Sequence, residues 1–474
     1  MEGEDVTPSP SSSSPIRFGT AGIRGRSEEF ITAELAASVA CALAREFAAR
    51  DLTRQCVVAR DTREHAAKYA GAARDAFARH GFDVHDVGVA CSGVVCHYLI
   101  GTEGSGGIYV TGSHLPEGQI GLIALDHEAT YFGGDDARAV EARFGEECRL
   151  CDGGAASPPF KGVIEEVDAR SHYEKRVGEM IGEDLRGVSL ALDPAGGSAA
   201  SFASKVIAGF GVRVTAIHDT PTQHFPREPE PRSRTLGRLR QTVLDSGARF
   251  GAGYDIDADR VYFLDEKGEG VPEDVAGAIF AERSLTAGSI CVAPVNSSTL
   301  IEEVCERLHA RFEYCRIGQP EIVRAMKRTG ATFAYEESGK YYVKGIHFAD
   351  SIAATLVMAS IILNEGPLSK IVEALPKLYK WSAAVECPEA KKEGAMRLAV
   401  AEAPHAFLAK PYRYVDIDGF KVIFRDGSWV MIRASGTEAL LRVYAEAREE
   451  PRARAFGEKA RELLERSVAN AAAG

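Results

Sequence analysis

The chain has 474 residues, 45% of them hydrophobic and 26% charged, and a formal net charge of −12. That length holds roughly three or four domains with ample core, and the composition is that of an ordinary soluble globular protein. The acidic balance speaks against a general nucleic-acid or membrane-surface binder, which needs a basic face, while leaving room for a locally basic cleft that takes a small phosphorylated substrate.

Residues 1–15, "MEGEDVTPSPSSSSP", are acidic and then Ser/Pro-rich. They read as a disordered tail without the apolar run of a secretory signal, so the cytoplasm is the expected location. From Ser27 onward helical and strand patterns alternate. "AELAASVACALAREFAAR" is helical, "QCVVARD" a buried strand, "EHAAKYAGAARDAFARHG" a helix closed by Gly81, and "VHDVGVA" a strand again. After a Gly- and Pro-bearing stretch at 152–159 the alternation restarts, with "GVSLALDPAGGSAASFASKVIAGFG" as strand, turn and helix and "VRVTAIHD" as the next strand. A third round runs from "EDVAGAIFAERSLTAG" through "SICVAPVNS" and "TLIEEVCERLHAR" to "ATFAYEES". Such alternation predicts βαβ units on largely parallel sheets. "IAATLVMASIIL" is too short to span a bilayer and reads as a buried helix. The rhythm breaks in "YRYVDIDGFKVIFRDGSWVMIRASGTEALLRVYAEA", consecutive strands ending in a charged helix. The expected architecture is three related mixed α/β domains, at 16–157, 158–270 and 271–378, plus a C-terminal α+β domain at 379–474.

Ten cysteines in so long a chain do not suggest a disulfide scaffold. "CRLC" at Cys148–Cys151 has redox or half-zinc spacing, but no second CxxC accompanies it, and it is read as incidental. "GGSAA" at Gly196–Ala200 resembles a relaxed nucleophile elbow yet lacks the final Gly, and reads as a plain strand-to-helix turn.

Four segments carry more chemistry. "TGSHLPEGQIGL" follows the strand-like "GGIYV" and puts Ser113 and His114 at the mouth of a tight turn; from the residues alone Ser113 is either a nucleophile or an ordinary turn serine. Asp255, Asp257 and Asp259 alternate in "GYDIDADRVYFLDEKG", a set of hard oxygen donors suited to Mg²⁺ or Ca²⁺. Glu266 even falls at the twelfth position of an EF-hand, but Arg260 stands where that loop needs Gly, and the flanks read as strands. "AYEESGKYYVKG" puts Glu336 and Ser338 at a strand end, where α/β domains bind ligands. "RASGTEALLR" offers Arg433, Ser435, Gly436 and Thr437 as guanidinium, hydroxyl and backbone donors for a phosphate.

In order, "FGTAGIRG", "TGSHLPEGQIG", "DIDADR", "EESGK" and "RASGTEALLRVYAEA" resemble the α-D-phosphohexomutase superfamily, of the phosphomannomutase/phosphoglucomutase type. The resemblance implies four domains around one central cleft, each supplying a loop. It implies that Ser113 carries a phosphoryl group, that Asp255, Asp257 and Asp259 hold Mg²⁺ together with the phosphate on Ser113, and that Glu336 and Ser338 grip sugar hydroxyls. Arg433, Ser435, Gly436 and Thr437 would hold the substrate's existing phosphate, with Arg260 and Arg442 in the same substrate-binding set, while Arg24 and His114 would support the phosphoserine. The implied reaction interconverts hexose 1-phosphate and hexose 6-phosphate through a hexose 1,6-bisphosphate. The implied partners are small hexose phosphates, with neither nucleic acid nor membrane, and the implied state is a monomer or homodimer.

The chain departs from the family pattern at Leu115 (usually Asn), Ile123 (often Lys), Lys340 (frequently His), Ala434 and Ala439 (both usually Pro). The Ile123 departure removes a candidate general base; Lys340 in the sugar loop either shares proton transfer with a neighbour such as His347 or neutralises substrate phosphate. Two other classes fit the same residues: a sugar-phosphate-binding regulatory homologue, and a Mg²⁺-dependent phosphatase that loses the phosphoryl group to water.

Overall fold

The computed structural model describes residues 18–19, 22–50, 52–147, 161–407, 411–436 and 438–472. The tail at 1–15, the Cys148–Cys151 pair, the 152–159 stretch and Thr437 lie outside the described residues.

The described strands form four sheets. The first holds β1 (Ile23–Arg26), β2 (Gln55–Arg60), β3 (Asp83–Val89), β4 (Gly106–Val110), β5 (Gln119–Asp126) and β6 (Ile164–Glu166), in the order β1-β5-β4-β2-β3-β6. The second holds β7 (Ser189–Asp193), β8 (Arg213–Ala216), β9 (Phe250–Tyr254), β10 (Val261–Asp265) and β11 (Gly270–Val271), and the third β12 (Ile290–Pro294), β13 (Arg311–Cys315), β14 (Phe333–Glu336) and β15 (Lys340–Tyr342). Each of these three mixes parallel pairs, closed by helical crossovers, with antiparallel edges such as β4–β5, β9–β10 and β14–β15. The fourth sheet is antiparallel throughout: β16 (Tyr379–Glu386), β20 (Leu440–Ala447), β19 (Trp429–Ala434), β18 (Phe420–Phe424) and β17 (Pro411–Val415). The architecture is three mixed α/β domains and a C-terminal α+β domain.

One expected boundary differs. β6, which the sequence assigns to the second domain, pairs in parallel with β3 and closes the edge of the first sheet. Its three residues are all exposed and carry too little apolar surface to announce which sheet they join.

The helix Ser351–Glu365 explains why the first three domains stay together. Asp350 caps it, accepting from Ile352 N and Ala353 N, and eleven of its residues are buried. At 15 residues it is all-round apolar, the signature of a helix buried on every side. Its Ile352, Leu356, Met358 and Ile362 share one continuous core with Tyr109 of β4, Leu190 of β7 and Tyr335 of β14. Each such side chain, moved out of water, contributes roughly 1.5–3 kcal/mol. The fourth domain has its own core and meets the third through a smaller cluster of Val295, Tyr314, Ile423, Trp429 and Met431. Among the described residues no helix is long and apolar enough to cross a membrane.

Candidate active site

The functional loops leave the C-terminal ends of β4, β9, β14 and β19; for the three α/β domains this is the end of the sheet where ligands bind. β4 is buried throughout and ends at Val110; the next residues turn sharply, with Ser113 at φ +49°. A non-glycine residue in that left-handed region carries strain of about 1–3 kcal/mol and persists only where its surroundings hold it. Thr111 Oγ1 donates to Asp61 Oδ2 (2.8 Å) and lies 3.1 Å from Asp257 Oδ2, so the serine loop touches the acidic loop directly.

The acidic loop joins β9 to β10, two antiparallel strands rather than the two helices of an EF-hand. Three elements pin its backbone. Ser92 N donates to Asp257 O (2.8 Å), Ser351 N to Ala258 O (3.1 Å), and Ser198 N and Oγ both to Ile256 O (2.8 Å). The Gly196–Ala200 turn is thus a support for this loop, and a Cβ on Gly197 would strike Ile256 O.

Ser113 Oγ donates to Asp255 Oδ2 at 2.7 Å. The ligand oxygens of Asp255, Asp257 and Asp259 lie within 4.8 Å of one another, all buried, and Asp257 Oδ1 and Asp259 Oδ1 have no hydrogen-bond partner. Burial, reinforced by the charge of Asp259, pushes Asp255 up to about 6, and burial with both neighbouring carboxylates pushes Asp257 well above the usual range. Burial also opposes ionisation of Asp259, but the charges of Lys340 and Arg260 prevail and hold it below the ordinary value. Carboxylates packed this tightly resist ionising until a cation joins them, and unpartnered hard oxygens at this spacing fit a small divalent ion.

Cations surround the cluster. Arg260 N donates to Asp255 Oδ1 (3.1 Å) and its guanidinium to Glu230 Oε1 (2.9 Å). Arg24, on β1, is half-buried beside it; desolvation lowers its pKa while the charges of Asp257 and Asp259 oppose that, and it remains a guanidinium. His114 Nδ1 lies 3.4 Å from Ser113 Oγ. Burial, with the charges of Arg260, Arg24, Lys340 and Arg63, drives the imidazole down to about 2, so His114 is neutral across the physiological range.

Lys340 lies elsewhere than expected from the sugar loop. β14 and β15 form a tight hairpin in which Glu336 faces Lys340, and Val261 N donates to Gly339 O (2.9 Å), stitching the hairpin to the acidic loop. Gly339 sits at φ +84°, where an added Cβ would stand 2.7 Å from Val261 O, so only glycine allows this approach. The buried Lys340 Nζ therefore reaches Asp259 Oδ2 (2.6 Å) and Gln319 Oε1 (2.9 Å). His347 lies apart from it, with Lys327 and Glu128 as the charges that bear on it. Glu336 accepts from Ser338 Oγ (3.0 Å), and the Glu336 charge acts on Arg260.

In the fourth domain Arg433 pairs with Asp418 (3.2 Å), and its buried Nε has no hydrogen-bond partner. Ser435 Oγ accepts from Glu438 N (3.2 Å), and Arg442 pairs with Glu438. Gly436 lines a cavity of about 350 Å³ together with Gly133, Gly134, Arg316, Gly318 and Asp418, contributed by the first, third and fourth domains. Gln319, next to Gly318, links that cavity through Lys340 to Asp259. Larger cavities of about 490 and 550 Å³ lie away from these loops, and the chemistry, not the volume, marks the site.

Sequence reasoning passed over Asp61, Arg63, Glu230 and Gln319. For the first two a signal existed: "ARDTRE" places charges at the end of a buried strand, where an apolar run should simply turn.

The sequence matches the phosphoglucomutase/phosphomannomutase family domain by domain: α/β/α domain I over residues 15–149, domain II over 171–268, domain III over 272–379 and the C-terminal domain over 383–463. A probable phosphoglucosamine mutase of Methanopyrus kandleri is 31% identical over 462 residues, 95% of this chain and 98% of that protein. A phosphopentomutase of Thermococcus kodakarensis is 29% identical over 460 residues, 96% of this chain and 99% of that protein. The crystal structure of a phosphoglucomutase/phosphomannomutase family protein from Burkholderia thailandensis superposes with a TM-score of 0.85 at 21% identity, covering 97% of this chain and 99% of that one. With all four domains matched in order and a relative above 30% identity along nearly its whole length, the chain belongs to the phosphoglucomutase/phosphomannomutase family of the α-D-phosphohexomutase superfamily, and it is a sugar-phosphate mutase.

Proposed function

We propose that the chain interconverts a hexose 1-phosphate and a hexose 6-phosphate through a phosphoryl group carried on Ser113 and a hexose 1,6-bisphosphate that reorients in the cleft. The observation that carries this reading is Ser113 Oγ, 2.7 Å from Asp255 Oδ2, beside two buried carboxylate oxygens that have no partner. Asp255, Asp257, Asp259 and the phosphorylated Ser113 would hold Mg²⁺, which when bound neutralises charge on the transferring oxygens. In one half-reaction the bond from phosphorus to Ser113 Oγ breaks as a bond to the free sugar hydroxyl oxygen forms; the proton that hydroxyl loses is balanced by the one Ser113 Oγ takes up to become a hydroxyl again. In the other, the phosphoryl group at the opposite end of the sugar returns to Ser113 Oγ.

The chain's residues divide the remaining work. Arg24 and Arg260 face the transferring group with fixed positive charge, an arrangement that needs no reorganisation during transfer. Arg433, Ser435, Gly436, Thr437 and Arg442 hold the phosphate that is not reacting, while Glu336 and Ser338 accept and donate to sugar hydroxyls. Lys340 we assign to charge compensation rather than proton transfer, because its ammonium already donates to Asp259 and Gln319.

The test supplies Mg²⁺ and a trace of glucose 1,6-bisphosphate with glucose, mannose, glucosamine and pentose 1-phosphates in turn. The expected result is isomer with at least one hexose phosphate and little inorganic phosphate. Phosphate without isomer would make the protein a phosphatase, and neither product would make it a binding protein. Turnover of the pentose phosphate alone would refute the hexose assignment.

A further inference from the structure

We propose that Arg63 is the positioning residue of the serine loop, a clamp that holds Ser113 in its strained, transfer-ready conformation without touching the phosphoryl group. Arg63 follows β2 by three residues and is buried. Its guanidinium donates from one terminal nitrogen to Ser113 O (2.7 Å) and Leu115 O (2.6 Å), and from the other to Pro116 O (2.9 Å) and Gln119 O (3.1 Å). Three carbonyls of the loop and that of Gln119, where β5 begins, thus converge on a single planar fork. Nε faces Asp61 Oδ2 at 3.2 Å, and that same oxygen accepts from Thr111 Oγ1 (2.8 Å) and Gly112 N (3.0 Å). Asp61 and Arg63 therefore hold the loop from both of its sides, and a Cβ on Gly112 would strike the guanidinium.

The loop needs this support. Ser113 sits at φ +49°, and the backbone amides within the loop make few bonds of their own: Leu115 N to Gly112 O (3.0 Å), Gln119 N to Pro116 O (3.3 Å) and Ser113 N to Thr111 Oγ1 (2.9 Å). Every terminal N–H is spent on a carbonyl, and Nε, which makes no hydrogen bond, is turned toward the Asp61 carboxylate, which separates the role of Arg63 from that of Arg24 or Arg260. The second domain covers the clamp: the Phe225 ring lies 4.9 Å from the guanidinium carbon, and Phe225 N donates to Glu117 Oε1 (2.5 Å). The half-buried ring packs over the guanidinium and adds a cation–π contact to the clamp. A lysine cannot replace the fork, because one ammonium cannot reach four acceptors spread along a plane.

The inference rests on the proposed role of Ser113, and its test separates the two. Hydrogen exchange of the loop amides at 112–119 and steady-state kinetics are measured on the full chain carrying Arg63→Lys and, separately, Phe225→Ala. Arg63→Lys is expected to speed exchange in the loop at least about tenfold while the helix Ala66–Arg79 is unchanged. It should lower kcat about 10- to 100-fold with KM for the sugar 1-phosphate within about threefold, as misplacement of a reacting group does. Unchanged loop exchange, or a raised KM with intact kcat, would overturn the proposal, the latter by making Arg63 a phosphate ligand. Should Arg63→Lys loosen the helix as well, Phe225→Ala decides: faster loop exchange with a lower kcat sustains the clamp, and no change in either removes it. Faster loop exchange in a protein inactive on every sugar phosphate would refute the mutase reading and leave the clamp standing.

Discussion

Lys340→Met tests whether the ammonium at the acidic cluster substitutes for part of a metal's charge. Three buried carboxylates face Arg24, Arg260 and Lys340, and of these cations Lys340 is the first to hold Asp259 ionised. Methionine fills similar space but leaves Asp259 Oδ2 and Gln319 Oε1 without the donor each now has at 2.6 and 2.9 Å. Stripping one partner from a buried ion pair costs about 3–5 kcal/mol. For domains of about 100 residues that corresponds to roughly 12–40 °C in the first melting transition. In EDTA the variant should melt that much lower than the parent protein. Added Mg²⁺ should then raise the variant's Tm more than the parent's, because binding to the folded state alone stabilises it and the variant's cluster carries one more uncompensated negative charge. Scanning fluorimetry with and without Mg²⁺ reads both quantities. A variant that melts within 1–2 °C of the parent in EDTA would refute the argument. So would a kcat–pH profile of Lys340→Gln that loses its low-pH limb, since that outcome makes Lys340 the base.

Three further predictions follow from the geometry. Freshly purified protein should show by intact mass a partly phosphorylated species mapping to Ser113, and Ser113→Ala should lose both the species and mutase turnover; full activity in that variant would refute the carrier role. Arg433→Ala removes a charge-assisted contact, a loss of about 1.5–3 kcal/mol or roughly 10- to 100-fold in affinity for sugar phosphates, and should leave non-phosphorylated sugars unaffected in a calorimetric titration. Lys421 is fully buried, with Nζ 4.0 Å from the Trp429 ring, and burial lowers its pKa to about 8. The unfolded chain therefore keeps this proton up to about pH 10.4 while the folded domain releases it near 8, so the penalty is greatest below pH 8 and is relieved by up to roughly 3 kcal/mol as pH rises between the two. Trp381 and Trp429, the chain's two tryptophans, both lie in the fourth domain, and their fluorescence should show the parent gaining stability relative to Lys421→Met from pH 8 to 10; a flat difference would refute it.

The sequence by itself determined the elements and the loops whose chemistry is local. β4 and β9 are short apolar runs that end in Gly- and Asp-rich turns, and Asp255, Asp257 and Asp259 alternate within five residues, so their convergence needs no knowledge of the fold. The antiparallel run of the fourth domain was equally legible, because its strands follow one another through tight turns. What only the tertiary structure decided lies between residues far apart in the chain. Lys340 meets Asp259 across 81 positions, and Arg63 meets the carbonyl of Ser113 across 50. β6 joins the first sheet through pairing with β3, some 80 residues earlier. A lysine after a glycine reads equally as a substrate contact or an ion-pair partner, and an arginine beyond a strand as a surface charge. Burial and the direction of a hairpin select among those readings, and both come from packing, which turns short-range patterns into contacts that no local spacing encodes.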